Sequence, residues 1–172
     1  KGEAPVNACP VSSADVVDKI GAIMGVEAEA AERKTAQVKC SGDCEHTSAK
    51  CNYVGIEDCR AAALAGLNTG SCTFGCLGFG SCVKACTYDA IHVVNGVAKV
   101  DTSKCVGCGM CVARCPGLAI VVVDKTFTDT TATVAFPFEY YPTPVVGEER
   151  NAMNRKGEIV CKGKIVKVVN PA

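Results

Sequence analysis

The sequence contains no tryptophan, and its only aromatic residues are five phenylalanines and four tyrosines. This composition leaves little bulky material for a large hydrophobic core, although an apolar content of 48% excludes a disordered chain. No stretch reaches the roughly 18 consecutive apolar residues of a membrane-spanning helix. The 172 residues are therefore expected to form one or two small domains in which metal sites replace part of the missing core.

An excess of charge of one sign is also lacking, because 18 basic residues balance 18 acidic ones. The lysines and arginines are scattered, and no basic arm carries interleaved aromatic residues, which argues against a nucleic-acid partner. The glycine-rich run from Gly75 to Gly80 lacks the flanking strand and helix of a dinucleotide site and the lysine of a phosphate loop. No acid–base pair, nucleophile or flavin fingerprint is present, so we expect no catalytic site on this chain.

Cysteine is the residue that the chain has in excess, with 14 in 172 residues. Their tight spacing, without a signal peptide, indicates metal ligation rather than disulfides, and hence a reducing or anaerobic setting. The second of two neighbouring quartets, Cys105 to Cys115 before Pro116, has the C-x2-C-x2-C-x3-C-P spacing of bacterial ferredoxins. The first quartet consists of Cys72, Cys76, Cys82 and Cys86.

In that ferredoxin arrangement, three neighbouring thiolates hold one [4Fe-4S] cluster and the fourth cysteine reaches across to the other cluster. We therefore predict two clusters, with ligand sets Cys72, Cys76, Cys82 and Cys115, and Cys105, Cys108, Cys111 and Cys86. A short helix and a strand are predicted after each quartet, and an Asn95-Gly96 turn joins two strand-like runs at 91–94 and 97–100. This internal repeat predicts an α+β fold with a dicluster ferredoxin-like core over residues 67–122.

A third cysteine group lies in a loop-rich segment, residues 37–66, and comprises Cys40, Cys44, Cys51 and Cys59. We predict a third [4Fe-4S] cluster on these residues. A tetrahedral four-thiolate zinc site, or a set in which only three of the cysteines are ligands, is the alternative.

Cys9 lies alone in residues 1–36, ahead of a helical pattern that Ser13 or Asp15 is expected to cap and Gly25 to end. A cluster needs four ligands, so we interpret Cys9 as the last ligand of a further cluster module whose other cysteines precede Lys1. An isolated buried thiol is the alternative.

Residues 123–172 are predicted to form a β-rich C-terminal extension. Pro137, Pro142 and Pro144 lie there around Phe136, Phe138, Tyr140 and Tyr141, a stretch that is either a docking face or a cover for the core. We predict a strand over 165–169 and a small buried thiol at Cys161.

The run from Val38 to Ile120 resembles the cytoplasmic B subunit of the Rnf complex, the ion-translocating ferredoxin:NAD oxidoreductase of bacterial membranes. The resemblance rests on three strings: Lys39-Cys40-Ser41-Gly42-Asp43-Cys44, Tyr53-Val54-Gly55-Ile56-Glu57-Asp58-Cys59, and Cys72-Thr73-Phe74-Gly75-Cys76-Leu77-Gly78-Phe79-Gly80-Ser81-Cys82-Val83-Lys84-Ala85-Cys86. Ala8-Cys9-Pro10 and the following helix are similar to the end of that family's first cluster module. The resemblance thus implies an N-terminally incomplete chain whose membrane anchor precedes Lys1.

Three features depart from the family pattern: Thr87 where proline is common, Cys51, and the β extension. The resemblance implies an iron–sulfur relay subunit at the cytoplasmic face of the cell membrane, with other subunits of a redox complex as partners and a soluble ferredoxin as electron donor. Association with the membrane would come through those partners or through the missing anchor. Lys84 and Lys104 are candidates for steering an acidic ferredoxin.

Two other classes of function stay open from the sequence alone. One is the iron–sulfur subunit of a soluble flavin- or metal-dependent oxidoreductase. This class stays open because the β extension departs from the family pattern. The other is a structural zinc–cysteine scaffold.

Overall fold

The computed structural model describes residues 6–9, 12, 14–27, 34–66, 70–72, 74–154 and 156–169. The chain divides into two compact units, Lys1–Pro137 and Phe138–Ala172. Helices and strands are mixed, as the predicted α+β class requires. Among the residues that the structure describes, no helix combines the length and the apolar character that crossing a membrane requires.

The first unit contains four helices and five strands within its described residues. In chain order they are α1 (Ala14–Met24), β1 (Thr35–Val38), α2 (Cys59–Leu64), α3 (Ser81–Ala85), β2 (Ile91–Val94), β3 (Val97–Val100), α4 (Met110–Ala113), β4 (Ile120–Asp124) and β5 (Thr133–Ala135). The helical pattern after Cys9 is confirmed as α1, which is followed by Gly25 with a φ of 69°. Ser13, one of its two predicted capping residues, lies outside the described residues.

Two small antiparallel sheets frame the core of this unit. The hairpin of β2 and β3 pairs Ile91 with Val100, and its turn has φ values of 51° at Asn95 and 79° at Gly96. These two positive values confirm the predicted type I′ turn, which asparagine and glycine adopt at little cost.

The other sheet has the order β1-β4-β5, with Thr35 opposite Val123 and Val38 opposite Ile120. Residues of β4 alternate between buried and half-buried, because one face of this strand covers the core. Strand β1 therefore takes part in the ferredoxin-like core although it precedes residue 67. The four domain boundaries predicted from the sequence stay a prediction.

The core is built from small aliphatic side chains and thiols, which agrees with the scarcity of aromatic residues. Its buried members are Ala36, Cys82, Ala90, Ile91, Ala98, Cys105, Cys111, Val112, Ile120 and Val122. Cys76, Cys86 and Cys115 are partly buried against them. Six cysteines of the two quartets thus belong to the core or pack against it.

The second unit contains a single antiparallel hairpin among its described residues, formed by β6 (Glu149–Met153) and β7 (Ile159–Lys164). The predicted strand at 165–169 is wrong. A turn in which the Asn154 side chain accepts hydrogen bonds from the N–H groups of Lys156 and Glu158 fixes the register, so the strand begins directly after it. Cys161 is exposed, contrary to the prediction of a buried thiol, because both faces of this thin hairpin are exposed.

Candidate metal centres

One cysteine-lined cavity, the Cys105 cavity, brings together the four residues Cys86, Cys105, Cys108 and Cys111. Its other walls are mainly apolar and include Ile91, Val100 and Met110. Cys86 ends α3 and therefore reaches this cavity from the opposite quartet. The structure thus gathers all four residues that the crossover spacing predicts, and their role as ligands stays a prediction.

Backbone amides point at the sulfur atoms of this cavity. The N–H of Ala36 in β1 donates to Cys105 Sγ at 3.3 Å, and that of Ala90 donates to Cys86 Sγ at 3.4 Å. Such hydrogen bonds stabilise electron-rich sulfur and raise the reduction potential of a bound cluster. Strand β1 consequently contributes to the site as well as to the sheet.

A second cavity, the Cys82 cavity, is lined by Cys76, Cys82 and Cys115, together with Cys59. Cys72, the fourth ligand predicted from the spacing, is exposed and is not among the described residues that line it. The sequence had placed Cys59 in the 37–66 group. Cys115 reaches the Cys82 cavity, as the crossover spacing predicts. The cysteine from upstream that lines this cavity is Cys59 instead of the predicted Cys72.

The two cavities repeat the same amide–sulfur pattern. Ala119 N–H donates to Cys115 Sγ at 3.4 Å, four residues along the chain, as Ala90 does to Cys86. Ala98 N–H in β3 donates to Cys76 Sγ at 3.5 Å, as Ala36 in β1 does to Cys105. The internal repeat seen in the sequence therefore extends to individual contacts.

A buried serine positions Cys59. Asp58 precedes α2, and its carboxylate accepts hydrogen bonds from the N–H groups of Arg60 and Ala61 at 2.9 and 3.3 Å, which caps the helix. The Ser81 hydroxyl donates to Asp58 Oδ2 at 2.8 Å and accepts from the Cys59 N–H at 2.8 Å. Since Ser81 directly precedes Cys82, these bonds hold Cys59 beside Cys82.

Burial controls the electrostatics of the enclosed thiols. Burial, and after it the nearby Cys76, Cys115 and Cys59, raise the pKa of Cys82 to about 12. Burial likewise raises the pKa of Cys111 to about 11, with Cys105 and Cys108 contributing. Several thiolates together in an apolar cavity are stable only beside positive charge, which the iron of a cluster supplies. The residues of both cavities therefore fit a metal–thiolate group.

Of the remaining cysteines of the 37–66 group, Cys40 lies near Cys72. Cys72 Cβ and Cys40 Sγ are 3.6 and 3.7 Å from the point where a Cβ of Gly75 would stand. Cys44 donates its N–H to Asn95 O at 3.0 Å, at the hairpin turn, and Cys51 is half-buried.

Across the described part of the chain, no three Cys, His, Asp or Glu side chains lie close enough to share one metal ion, as a zinc site requires. A [4Fe-4S] cluster tolerates wider sulfur spacing, because each thiolate binds a different iron. Cys9 is exposed, so the alternative of a buried thiol does not fit it.

Comparison with known proteins agrees with the cysteine chemistry. A family model described as a 4Fe-4S binding domain matches residues 98–121, which contain Cys105 to Cys115. The fold is thus α+β with a ferredoxin-like domain, and [4Fe-4S] binding is supported by family as well as by spacing.

Three curated relatives are similar to the chain. The chain is 42% identical over 104 residues to the B subunit of the Na(+)-translocating ferredoxin:NAD(+) oxidoreductase complex of Acetobacterium woodii, covering 60% of this chain and 31% of the relative. It is 40% identical over 88 residues to the B subunit of the ion-translocating oxidoreductase complex of Methanosarcina acetivorans, covering 51% of this chain and 33% of the relative.

The third relative is the B subunit of the proton-translocating ferredoxin:NAD(+) oxidoreductase complex of Clostridium ljungdahlii, 41% identical over 99 residues, which cover 57% of this chain and 35% of the relative. The chain spans about a third of the length of each of these relatives. The resemblance drawn from the sequence strings is confirmed by all three names.

Proposed function

We propose that this chain is an iron–sulfur electron-relay subunit of a membrane-bound, ion-translocating ferredoxin:NAD oxidoreductase. The observation that carries the proposal is the pair of cavities in which four cysteines converge, each with backbone amides aimed at sulfur. The three relatives, each named as the B subunit of an ion-translocating complex, support the same assignment.

Each cavity would hold one [4Fe-4S] cluster, which takes up and releases single electrons. The protein's part is to supply thiolates, to keep water from the cluster with apolar walls, and to set its potential through amide–sulfur hydrogen bonds. Such tuning requires no acid–base or nucleophilic residue.

The connection between the cavities favours electron transfer from one to the other. Helix α3 contains Cys82, which lines the Cys82 cavity, and is followed by Cys86, which lines the Cys105 cavity. Helix α4 contains Cys111, which lines the Cys105 cavity, and is followed closely by Cys115, which lines the Cys82 cavity. Two clusters held by the two ends of the same short helices would be near neighbours, as a relay requires.

Iron analysis tests the proposal directly. Anaerobically purified protein is expected to contain at least about eight iron and eight sulfide ions per chain, because two cubanes carry four of each. The reduced protein should also give the electron paramagnetic resonance signal of [4Fe-4S] clusters. A colourless protein that contains zinc, or fewer than about eight irons, would contradict the proposal.

The electron donor is proposed to be an acidic soluble ferredoxin that meets exposed lysines. Lys104 Nζ lies 2.8 Å from Asp89 Oδ2, and this contact raises the pKa of Lys104, whereas Lys84 Nζ donates to the Glu57 carbonyl at 3.1 Å. Asp89 thus offsets the charge that Lys104 presents for steering, whereas the Lys84 hydrogen bond is to a neutral carbonyl oxygen.

Kinetics of reduction by ferredoxin check this surface. Lys84→Glu should slow the bimolecular step more than Lys104→Glu does, and both effects should fade at high ionic strength because salt screens exposed charges. Asp89→Asn is the matched control, because it frees Lys104 and should speed the reaction. Equal rates for all three variants would exclude this surface.

Location at the cytoplasmic face of the membrane, through partner subunits, belongs to the same proposal. Co-purification of the native chain with other redox subunits in the membrane fraction is the expected outcome. Purification with flavin- or metal-dependent partners that stay in the soluble fraction would favour the alternative class of oxidoreductase.

A further inference from the structure

We propose that the cysteines divide into ligand sets differently from the way their spacing indicates, with Cys59 and Cys72 exchanged. Cys59, Cys76, Cys82 and Cys115 would hold one [4Fe-4S] cluster, and Cys40, Cys44, Cys51 and Cys72 would hold a third. The inference rests on the proposed function, because it requires clusters at these sites.

Burial and hydrogen bonding place Cys59 in the Cys82 cavity. Cys59 is 7% exposed and lines that cavity, and its N–H is bonded to the buried Ser81 hydroxyl at 2.8 Å. Ser81 also bonds Asp58, so both residues of the Asp58-Cys59 pair are tied to the residue before Cys82. The bond between Cys59 and Ser81 thus joins two segments that lie 22 residues apart, directly beside Cys82.

Separate contacts hold Cys72 to the loop that carries the other cysteines. The neighbouring Ser71 hydroxyl lies 3.0 Å from the Thr47 hydroxyl, and Gly70 forms a β-bridge with Ala49. These contacts tie the residues before Cys72 to the stretch between Cys44 and Cys51.

Gly75 lies between the two sites. The Cβ position of Gly75 is within 4 Å of Cys72 Cβ and Cys40 Sγ. The Gly75 carbonyl oxygen lies against the Cβ position of Gly117, which lines the Cys82 cavity. Cys72 therefore lies on the Cys40 side of Gly75, and Cys76, the residue after Gly75, lies on the side of the Cys82 cavity.

Cys44 and Cys51 complete the third set. Cys44 is fixed to the hairpin turn by its bond to Asn95 O, and its sulfur is 2.9 Å from the Cβ position of Gly96. With Cys59 assigned to the other cavity, Cys51 is the remaining thiol of the loop, and a cubane takes four protein ligands. The third cluster would then lie beside the ferredoxin-like core and extend the relay.

Iron loss in double variants of the full chain distinguishes the two assignments. Cys59→Ala, Cys72→Ala and Cys115→Ala should each remove about four irons, since alanine provides no ligand. The pair Cys59→Ala with Cys115→Ala should still lose about four, because both residues serve one cluster. The pair Cys72→Ala with Cys115→Ala should lose about eight, because they serve two. The reverse pattern would overturn the inference and restore the assignment from spacing.

Serine substitutions at two cysteines, combined with variants of Ser81 and Ser71, provide a second measurement if the alanine variants do not fold. Cys115→Ser and Cys40→Ser first identify the resonance signals of the two clusters, because serine keeps an oxygen ligand. Ser81→Ala should then alter the Cys115 signal, and Ser71→Ala should alter the Cys40 signal. An effect of Ser71→Ala on the Cys115 signal would contradict the exchange. Wild-type protein without iron would instead contradict the proposed function.

Discussion

At the scale of single residues, the two cysteine cavities differ in one charge. Arg114 lines the Cys82 cavity, whereas the described residues that line the Cys105 cavity include no charged side chain. A nearby positive charge favours the reduced cluster, which is more negative, so the cluster beside Arg114 should have the higher potential of the two.

Replacement of Arg114 tests this difference. Arg114→Gln should lower the potential of the cluster in the Cys82 cavity by roughly 20 to 60 mV, a modest change because the side chain is exposed and about 59 mV corresponds to tenfold in a one-electron equilibrium. Spectroscopic redox titration measures it. The cluster in the Cys105 cavity serves as the internal control, and an equal shift of both potentials would show that Arg114 acts on the whole molecule.

At the scale of elements, β1 is packed directly on the loop that carries Cys105 and Cys108. Its Ala36 N–H is bonded to Cys105 Sγ, and a Cβ at Gly107 would stand 2.5 Å from Lys34 Cβ and 2.8 Å from the Lys34 carbonyl. Gly107 also has a φ of 64°, a left-handed conformation that favours glycine. The loop and the strand therefore need a glycine at this contact.

Two neighbouring glycines form a matched pair for this contact. Gly109 has a similar φ of 80°, but nothing lies within 4 Å of its Cβ position. Gly109→Ala should cost about 1 to 2 kcal/mol of folding stability from backbone conformation alone. Gly107→Ala should cost more and should also displace β1, which lowers the potential or the iron content of the Cys105-cavity cluster.

Denaturant unfolding and iron analysis of the two variants provide the measurements. Equal losses of stability in both variants, with the Cys105-cavity cluster unchanged, would show that β1 does not support this site.

At the scale of the whole molecule, the formal charge is balanced, but bound clusters would make the protein acidic. The amino acids alone give a net charge of zero and an isoelectric point near 6.8. Each oxidised [4Fe-4S] cluster with four thiolates adds about −2, so two clusters give about −4 and three give about −6. An acidic surface of this kind would leave exposed lysines such as Lys84 as local exceptions where an acidic partner is able to approach.

Anaerobic isoelectric focusing checks this charge. The loaded protein should focus well below pH 6.8, and the iron-free protein should focus near that value. The double variant Cys40→Ala with Cys72→Ala should focus between the two, since it would lack one cluster. Identical positions of loaded and iron-free protein would contradict the charge assignment.

The sequence by itself determined the chemistry and much of the secondary structure. Cysteine type and close spacing predict thiolate ligation, and Asn95-Gly96 between strand-like runs predicts the hairpin, because both depend on residues near one another in the chain. The crossover placement of Cys86 and Cys115 was also predictable, since it is a property of the repeated motif. The strand predicted at 165–169 was wrong because the Asn154 turn, not residue propensity, sets the register of this hairpin.

Only the tertiary structure decided which cysteine of the upstream segments reaches each cavity, and that β1 belongs to the core. Cys72 has the closer spacing to Cys76, yet Cys59 lines the cavity, because Ser81 and Asp58 join segments that are distant in sequence. Strand β1 is joined to β4 across more than 80 residues by backbone hydrogen bonds that carry no local sequence signal. Local spacing indicates which cysteines are candidate ligands, and long-range packing decides which of them come together.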